Sequence, residues 1–249
     1  MKQLKEILLG ILVILAVAFL IVFLYTSEST RKNRDLERRI RELSSHGGLP
    51  ETIDGLRQAI ALYEAQIERN VNEGAQTGVY WKILAIRLSD KNMHNDALGA
   101  LERAIYFNSE ETVLYYLTGV SAAHVAKSRV GFSPNAEKER EHYFKLSEKS
   151  YLRALELDVT YTKAMYGLGV LYAFELNQPQ DAIVYLERYL QIQPSDISAL
   201  FVLARAYYMI ENFSRAVEIY DRIAARTKDQ KIKNEALTNR DIIQGMLYE

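Results

Sequence analysis

Residues 162–196 read TKAMYGLGVLYAFELNQPQDAIVYLERYLQIQPSD, and residues 197–230 read ISALFVLARAYYMIENFSRAVEIYDRIAARTKDQ. The two stretches share a pattern that repeats every 34 residues, which is the separation of Ala182 from Ala216. The former stretch has one extra residue near its middle. The shared positions are occupied by Met165, Leu168, Gly169, Tyr172, Ala182 and Leu186 in the former stretch, and by Leu200, Leu203, Ala204, Tyr207, Ala216 and Tyr220 in the latter. Apolar residues three and four apart indicate amphipathic helices, so the period predicts an array of helix pairs.

Two earlier repeats are predicted at residues 78–111 and 112–161, which completes a block of four repeats over residues 78–230. The first carries the same kinds of residue at the same spacing: Trp81, Leu84, Ala85, Leu88, Ala97, Leu101 and Ala104. The second is longer than the period because of an insert at residues 125–142, and the phase returns when about sixteen residues are removed there.

The insert contains Ser133 followed by Pro134, a typical helix start because serine caps the helix and proline is tolerated in its first turn. We therefore expect one long helix from about Pro134 to Leu157. Phe132 lies near the tip of the insert and is predicted as a contact for a partner protein. The alternative is a tolerated surface insertion, since lengthening a loop costs little free energy.

These residues resemble the tetratricopeptide repeat family, whose signature is W-x2-L-G-x2-Y, then A-x3-F and a late proline. The resemblance implies an all-α fold, a superhelical solenoid of about four antiparallel helix pairs. Small residues are expected where two helices approach closely, and these are Ala85, Gly169 and Ala204 on first helices and Ala97, Ala182 and Ala216 on second helices. Residues 51–77 and 231–249 are expected to form helices that cap the two ends. An unrelated helical bundle would not explain four copies in phase.

Residues 7–27 read ILLGILVILAVAFLIVFLYTS, a run without a charged side chain. A helix rising about 1.5 Å per residue would span the hydrocarbon core of a bilayer over this length. We therefore predict a short N-terminal tail and a single-pass transmembrane helix within residues 1–27. The alternative is a cleaved signal peptide, but its apolar region is usually shorter and ends in an A-x-A-like site. The A-x-A of this segment, at residues 16–18, lies inside the apolar run.

Residues 28–50 are expected to form a charged helical stalk that ends in a Gly-Gly-Leu-Pro hinge. Leu36, Ile40 and Leu43 have helical spacing, which fits either a solvated helix or a short dimeric coiled coil. The Lys and Arg count of the two flanks favours a cytoplasmic repeat domain. A short tail with two lysines is instead typical of a signal-anchor, and long domains translocate largely regardless of charge. We expect a cell (inner) membrane location, with the repeats on the periplasmic or extracytoplasmic side.

Composition and motifs argue against several classes of function. The 31 basic and 32 acidic residues nearly balance, so a nucleic-acid-binding face is not expected. The absence of cysteine excludes disulfide scaffolds and cysteine-ligated zinc. The four histidines form no metal-binding helical pair, and no phosphate-binding glycine motif occurs. We expect no enzymatic activity, no cofactor, no metal and no small-molecule substrate.

The resemblance also implies a concave groove, lined by the first helix of each repeat, that binds peptides. The matching positions of this chain are Lys82, Tyr116, Val120, Lys163, Tyr166, Val170, Phe174, Phe201, Arg205 and Tyr208. One subfamily grips an acidic C-terminus with Lys, Asn and Arg side chains, but Ile86, Leu117 and Gly167 replace three of those donors here. The groove is predicted to bind an apolar peptide or an amphipathic helix. Alternatively, the stalk or capping helices of the same chain fill it.

Together these features predict a membrane-anchored scaffold or assembly factor that binds partner proteins. By analogy with anchored proteins of the resembled family, it would be an accessory subunit of an envelope, secretion or flagellar complex. The alternative is a membrane-tethered chaperone that holds unfolded or secreted clients. A single stoichiometric partner would favour the scaffold, and a broad set of clients would favour the chaperone.

Overall fold

The computed structural model describes residues 30–32, 34–40, 53–129, 131 and 134–246, and these residues are almost entirely helical. The chain divides into two compact units, Met1–Gly74 and Ala75–Glu249. The predicted membrane segment 7–27 and the hinge lie outside the described residues. In the part of the chain that is described, no helix has both the length and the apolar character needed to cross a bilayer.

In the first unit, residues 30–32 and 34–40 of the predicted stalk are helical. Arg69 joins this segment to the following helix, because its guanidinium lies 3.3 Å from a carboxylate oxygen of Glu37 and 2.9 Å from one of Glu73. Ion pairs this exposed contribute little to stability, so they orient the two segments more than they stabilise them.

The helices from residue 53 onward are numbered here in chain order. They are α1 (Ile53–Asp90), α2 (His94–Phe107), α3 (Thr112–Ser128), α4 (Pro134–Leu157), α5 (Thr162–Phe174), α6 (Pro179–Ile192), α7 (Ile197–Met209), α8 (Phe213–Arg226) and α9 (Gln230–Met246). The end of α1 pairs with α2, and the pairs α3/α4, α5/α6 and α7/α8 follow. The helix pairs expected from the sequence period are therefore present.

The first predicted boundary differs from the structure. A separate capping helix over residues 51–77 was expected before the first repeat, but α1 continues through residues 77 and 78 without a break. Gly78 does not end the helix. It lies where α2 ends, and a Cβ atom on it would lie only 2.8 Å from Cβ of Phe107. The glycine therefore permits a close helix approach, and the cap and the first repeat share one helix.

The insert of the second repeat is accommodated mainly by longer helices. α3 has 17 residues and α4 has 24, whereas α5 and α6 have 13 and 14. α4 begins at Pro134 and ends at Leu157, as the Ser-Pro helix start predicted. Residues 125–128 of the predicted insert belong to α3. Phe132 lies outside the described residues.

The turns within three helix pairs share one backbone device. Asn92, Asn177 and Glu211 have φ angles of 59°, 52° and 59°, which is the left-handed region. The next amide in each turn donates back to a carbonyl of the preceding helix, from Met93 to Leu88 in the first pair, at 2.9 Å. Such a residue stops one helix and reverses the chain within a few residues. The turns at Asn177 and Glu211 are separated by the sequence period.

The core forms where the small residues of the repeat meet. Ala97, Ala182, Ala204 and Ala216 are fully buried. At Gly169, a Cβ atom would lie 2.5 Å from Cγ of Leu186, which is itself fully buried on the facing helix α6. The prediction that these positions mark close helix approaches is confirmed.

Candidate functional site

Two cavities open on the face formed by the first helices. The first, called the central cavity here, has a volume of about 230 Å³ and lies between α3 and α5, with one residue from α4. It brings together five of the predicted groove residues: Tyr116, Val120, Lys163, Tyr166 and Val170. Its remaining wall includes His124, Lys127, Tyr151 and Glu175.

The second, called the C-terminal cavity, has a volume of about 430 Å³. Four predicted groove residues line it: Phe174, Phe201, Arg205 and Tyr208. The capping helix α9 supplies part of the opposite wall through Glu235, Asn239, Ile242 and Ile243. The capping helix α9 therefore lines this cavity and leaves its volume open.

Each aromatic ring at the fifth position of a repeat packs against a ring from the second helix of that repeat. Ring centroids are 6.1 Å apart for Tyr116 and Tyr151, 5.4 Å for Tyr166 and Tyr189, and 5.9 Å for Phe201 and Tyr220. Offset and tilted pairs at these distances are favourable beyond the area that they bury. The second-helix rings therefore support the first-helix rings, which line the two cavities.

Tyr151 fills the space over two glycines. Cβ atoms built on Gly119 of α3 and Gly167 of α5 would lie 2.5 Å and 2.8 Å from atoms of its ring. The ring is buried, and burial raises the pKa of the Tyr151 hydroxyl. Burial also raises the pKa values of Tyr116 and Tyr166. These phenols therefore remain neutral, and the central cavity presents hydroxyl groups instead of phenolates.

The cations of the two cavities lie against aromatic rings. The Lys163 ammonium is 5.8 Å from the centroid of the Tyr116 ring, and the Arg205 guanidinium carbon is 4.6 Å from that of Phe174. Lys127 pairs with Glu175 at 2.9 Å, on the rim of the central cavity. A cation held over a ring in this way keeps its hydrogen-bond donors free for a carboxylate or a backbone carbonyl of a ligand.

Lys82 does not join either cavity. Its ammonium lies 2.5 Å from a carboxylate oxygen of Glu111, the residue before α3, so its charge is used within the chain. Two second-helix rings, Tyr151 and Tyr220, also line the cavities although the sequence did not predict them there. Tyr151 and Tyr220 lie four residues after the small residue of their helices, which is the aromatic position of the A-x3-F signature, and that position was assigned to packing alone.

Metal-binding clusters are not present in the described part of the chain. No group of three or more His, Asp and Glu side chains there is arranged to hold a metal ion. The cavities are lined by rings, aliphatic side chains and a few charged groups, which is a composition typical of ligand-binding sites.

Known proteins and a family model resemble this chain. Residues 173–234 match the family model of the tetratricopeptide repeat. A TPR repeat-containing protein of Borreliella burgdorferi is 20% identical over 213 residues, which cover 84% of this chain and 90% of that protein.

Solved structures with the same architecture include a thermophilic TPR protein of Thermus thermophilus. It has a TM-score of 0.53 at 16% identity and covers 82% of this chain and 97% of its own. MamA from Desulfovibrio magneticus RS-1, from residue 41 to its end, has a TM-score of 0.51 at 16% identity and covers 68% of this chain and 96% of its own. At such identities the likeness concerns the fold, an all-α tetratricopeptide solenoid.

Proposed function

We propose that this tetratricopeptide-repeat chain is a scaffold that binds another protein through the central and C-terminal cavities. The ligand is an apolar peptide or an amphipathic helix whose apolar side chains lie against the aromatic rings. An extended or helical segment can occupy both cavities because α5 contributes to each of them.

The observation that carries the proposal is the exposure of large aromatic side chains in the C-terminal cavity. Phe174 is 50% exposed and Tyr208 is 40% exposed, although both lie beside a cavity that apolar side chains could fill. Exposed apolar surface gathered in one place marks interaction sites in soluble domains. Lys163 and Arg205 add donors that fix the orientation of a bound main chain or carboxylate.

The test replaces the exposed rings, because the half-buried rings at the fifth positions also support the fold. The double variant Phe174→Ala/Tyr208→Ala should retain the helical circular dichroism spectrum. In cross-linked detergent extracts, it should fail to capture the partner that we expect the unmodified chain to capture. Truncating a central aromatic contact lowers the binding free energy by about 2 kcal/mol or more. Tyr106→Ala is the matched control, because Tyr106 is 75% exposed on α2 and lines neither cavity.

Capture of one stoichiometric partner that the double variant loses and the control keeps is the result expected of a scaffold. Undiminished capture by the double variant would contradict binding in these cavities. A broad set of unfolded clients, equally reduced in the variant, would indicate the chaperone alternative.

The second part of the proposal is a membrane anchor formed by residues 7–27, with the repeats on the extracytoplasmic side. Its support is the uncharged apolar run, long enough for a bilayer. The full chain should resist carbonate and high-salt extraction, and deletion of residues 1–27 should release a soluble helical protein. Protease added to intact spheroplasts should digest the repeats. A full chain that washes off with salt would contradict the anchor, and protected repeats would contradict the orientation.

A further inference from the structure

A third cavity, which has the shape of a groove, lies on a different face of the second repeat. It is formed by α2 and α4, with Tyr115 and Thr118 of α3 between them, and its volume is about 980 Å³. It shares no lining residue with the central or the C-terminal cavity. It is also separate from the positions predicted to line the concave peptide groove.

The groove is elongated along two helices. Its lining residues recur every three or four positions on α2, from Asn95 to Ile105, and on α4, from Tyr143 to Glu156. These stretches correspond to about 15–20 Å of helix. The apolar lining consists of half-buried side chains, and these are Leu98, Ile105, Tyr115, Tyr143, Leu146 and Leu152. A helix of about three turns matches this shape better than a compact small molecule does.

Gly99 provides an independent indication of close approach. It lies in the middle of α2, where glycine is less favourable for helix formation than alanine. A Cβ atom built on it would meet no atom within 4 Å, so no contact inside the described chain explains the glycine. At an exposed position facing the groove, the missing side chain allows the backbone of a docked helix to lie against α2.

The charge of the lining selects the ligand. Four carboxylates line the groove, at Asp96, Glu102, Glu148 and Glu156, against the two cations Lys149 and Arg153. Arg153 is used internally, since it lies 2.8 Å from Glu156. Among the described residues, Asp96 and Glu102 have no ion-pair partner. The net charge of the lining is therefore negative, and Lys or Arg side chains at the edges of an apolar helix would be attracted to it.

We propose that the groove between α2 and α4 binds a basic amphipathic helix of a partner protein, with the backbone of that helix against Gly99. The apolar face of the ligand packs on the tyrosine and leucine side chains, and its Lys or Arg residues lie beside Asp96 and Glu102. The site is independent of the concave cavities, so the chain can hold two partners at once.

The test uses the full chain and two synthetic peptides, each long enough for about four helical turns. One has leucine at helical spacing with lysine elsewhere, and the other has glutamate in place of each lysine. In fluorescence anisotropy, the Leu/Lys peptide should bind at least about tenfold more tightly than the Leu/Glu peptide, with a preference that falls as salt is added. The variant Gly99→Leu fills the groove where space is open, and should weaken binding of the Leu/Lys peptide about tenfold without loss of stability.

The matched control is Gly245→Leu, because Gly245 is also an exposed helical glycine with nothing within 4 Å of a built Cβ atom and lies on α9. It should bind the Leu/Lys peptide as the unmodified chain does, and so should the double variant Phe174→Ala/Tyr208→Ala. Equal affinity of Gly99→Leu and Gly245→Leu, or a preference for the Leu/Glu peptide, would overturn the proposal while leaving the concave cavities as they are.

Discussion

The second repeat and the two repeats after it solve the same packing problem with different side chains. Among the described residues, the buried polar side chains are Thr118, Ser121, Ser147 and Ser150, and all of them lie in α3 and α4. The third and fourth repeats have alanine, Ala182 and Ala216, at the position that Ser147 occupies. Their interfaces are apolar throughout, with Leu186 and Ile223 fully buried.

The difference shows that the repeat specifies a close backbone approach and leaves the contacting groups free to vary. In the third repeat, Leu186 packs over Gly169. In the second, the larger ring of Tyr151 lies over both Gly119 and Gly167, and the Ser147 hydroxyl donates to the carbonyl of Gly119 at 2.8 Å. A hydroxyl buried with an acceptor carries no desolvation penalty of the kind that an unpaired group would have.

The largest effect is expected when the apolar side chain that fills the interface of the third repeat is truncated. Leu186→Ala should lower the free energy of unfolding by about 3 kcal/mol, because it removes a fully buried side chain and leaves a cavity between two rigid helices. Urea unfolding followed by circular dichroism measures it. A loss below about 1 kcal/mol would mean that the third repeat is packed more loosely than its buried areas indicate.

Overfilling the same contact should cost somewhat less. Gly169→Leu places a side chain where the first added carbon already lies 2.5 Å from Leu186, so a destabilisation of about 1–3 kcal/mol is expected. Gly245→Leu, which has open space, is the control and should be neutral or slightly stabilising. A neutral Gly169→Leu would contradict the alignment of the repeats on which the comparison rests.

The fold was predictable to the extent that the repeat signature reports close packing. Gly169, Ala182 and Ala216 could be placed from their spacing, because each approach of two backbones demands a small residue at a fixed period. The continuity of α1 could not be predicted, since a glycine such as Gly78 is typical of a helix end. Its role here depends on Phe107 and Asn108, which lie at the far end of the next helix.

The candidate site was also predictable only in part from the sequence. First-helix positions such as Tyr166 and Arg205 follow from the period and line the cavities. Lys82 also follows from the period, yet its pairing with Glu111 depends on the turn before α3. The wall from α9 and the groove beside Gly99 arise from contacts between repeats, which a pattern within one repeat does not encode.

Lowering the pH should destabilise the early repeats more than the later ones. The rings of His94 and His124 stack with centroids 4.2 Å apart across α2 and α3, and no histidine follows residue 142. Burial lowers the pKa of His94, and His124 lowers it further. The unfolded chain then binds a proton below the ordinary histidine pKa of about 6.5 that the folded His94 does not bind, so stability falls as the pH drops below that value.

Trp81, the single tryptophan, reports on the first repeat. Its fluorescence-detected melting temperature should fall between pH 7.5 and pH 5.5, roughly the range in which histidine titrates. His94→Gln should remove part of that fall. If His94→Gln melts with the same pH dependence as the unmodified chain, the stacked pair does not contribute to it.

The smallest effect is expected when the second repeat is made to resemble the third. Ser147→Ala removes one hydrogen bond to Gly119 but introduces the side chain found at residues 182 and 216, so the loss should be about 1 kcal/mol or less. Thermal unfolding against Leu186→Ala measures the contrast. A loss as large as that of Leu186→Ala would show that the hydroxyl is essential to the second repeat.

Two arginines connect neighbouring repeats in the same way. Arg188 of α6 donates to the carbonyl of Val159 at 3.2 Å, and Arg222 of α8 donates to that of Pro194 at 2.8 Å. Each carbonyl lies at the end of the preceding repeat, so opening one repeat releases a bond that orders its neighbour. In an array whose stability is a sum of repeats and their interfaces, such bonds strengthen the interface contribution. The second, third and fourth repeats should therefore exchange their amide hydrogens as one cooperative unit, so fraying from the carboxyl end would proceed past α8 only by releasing all three repeats together.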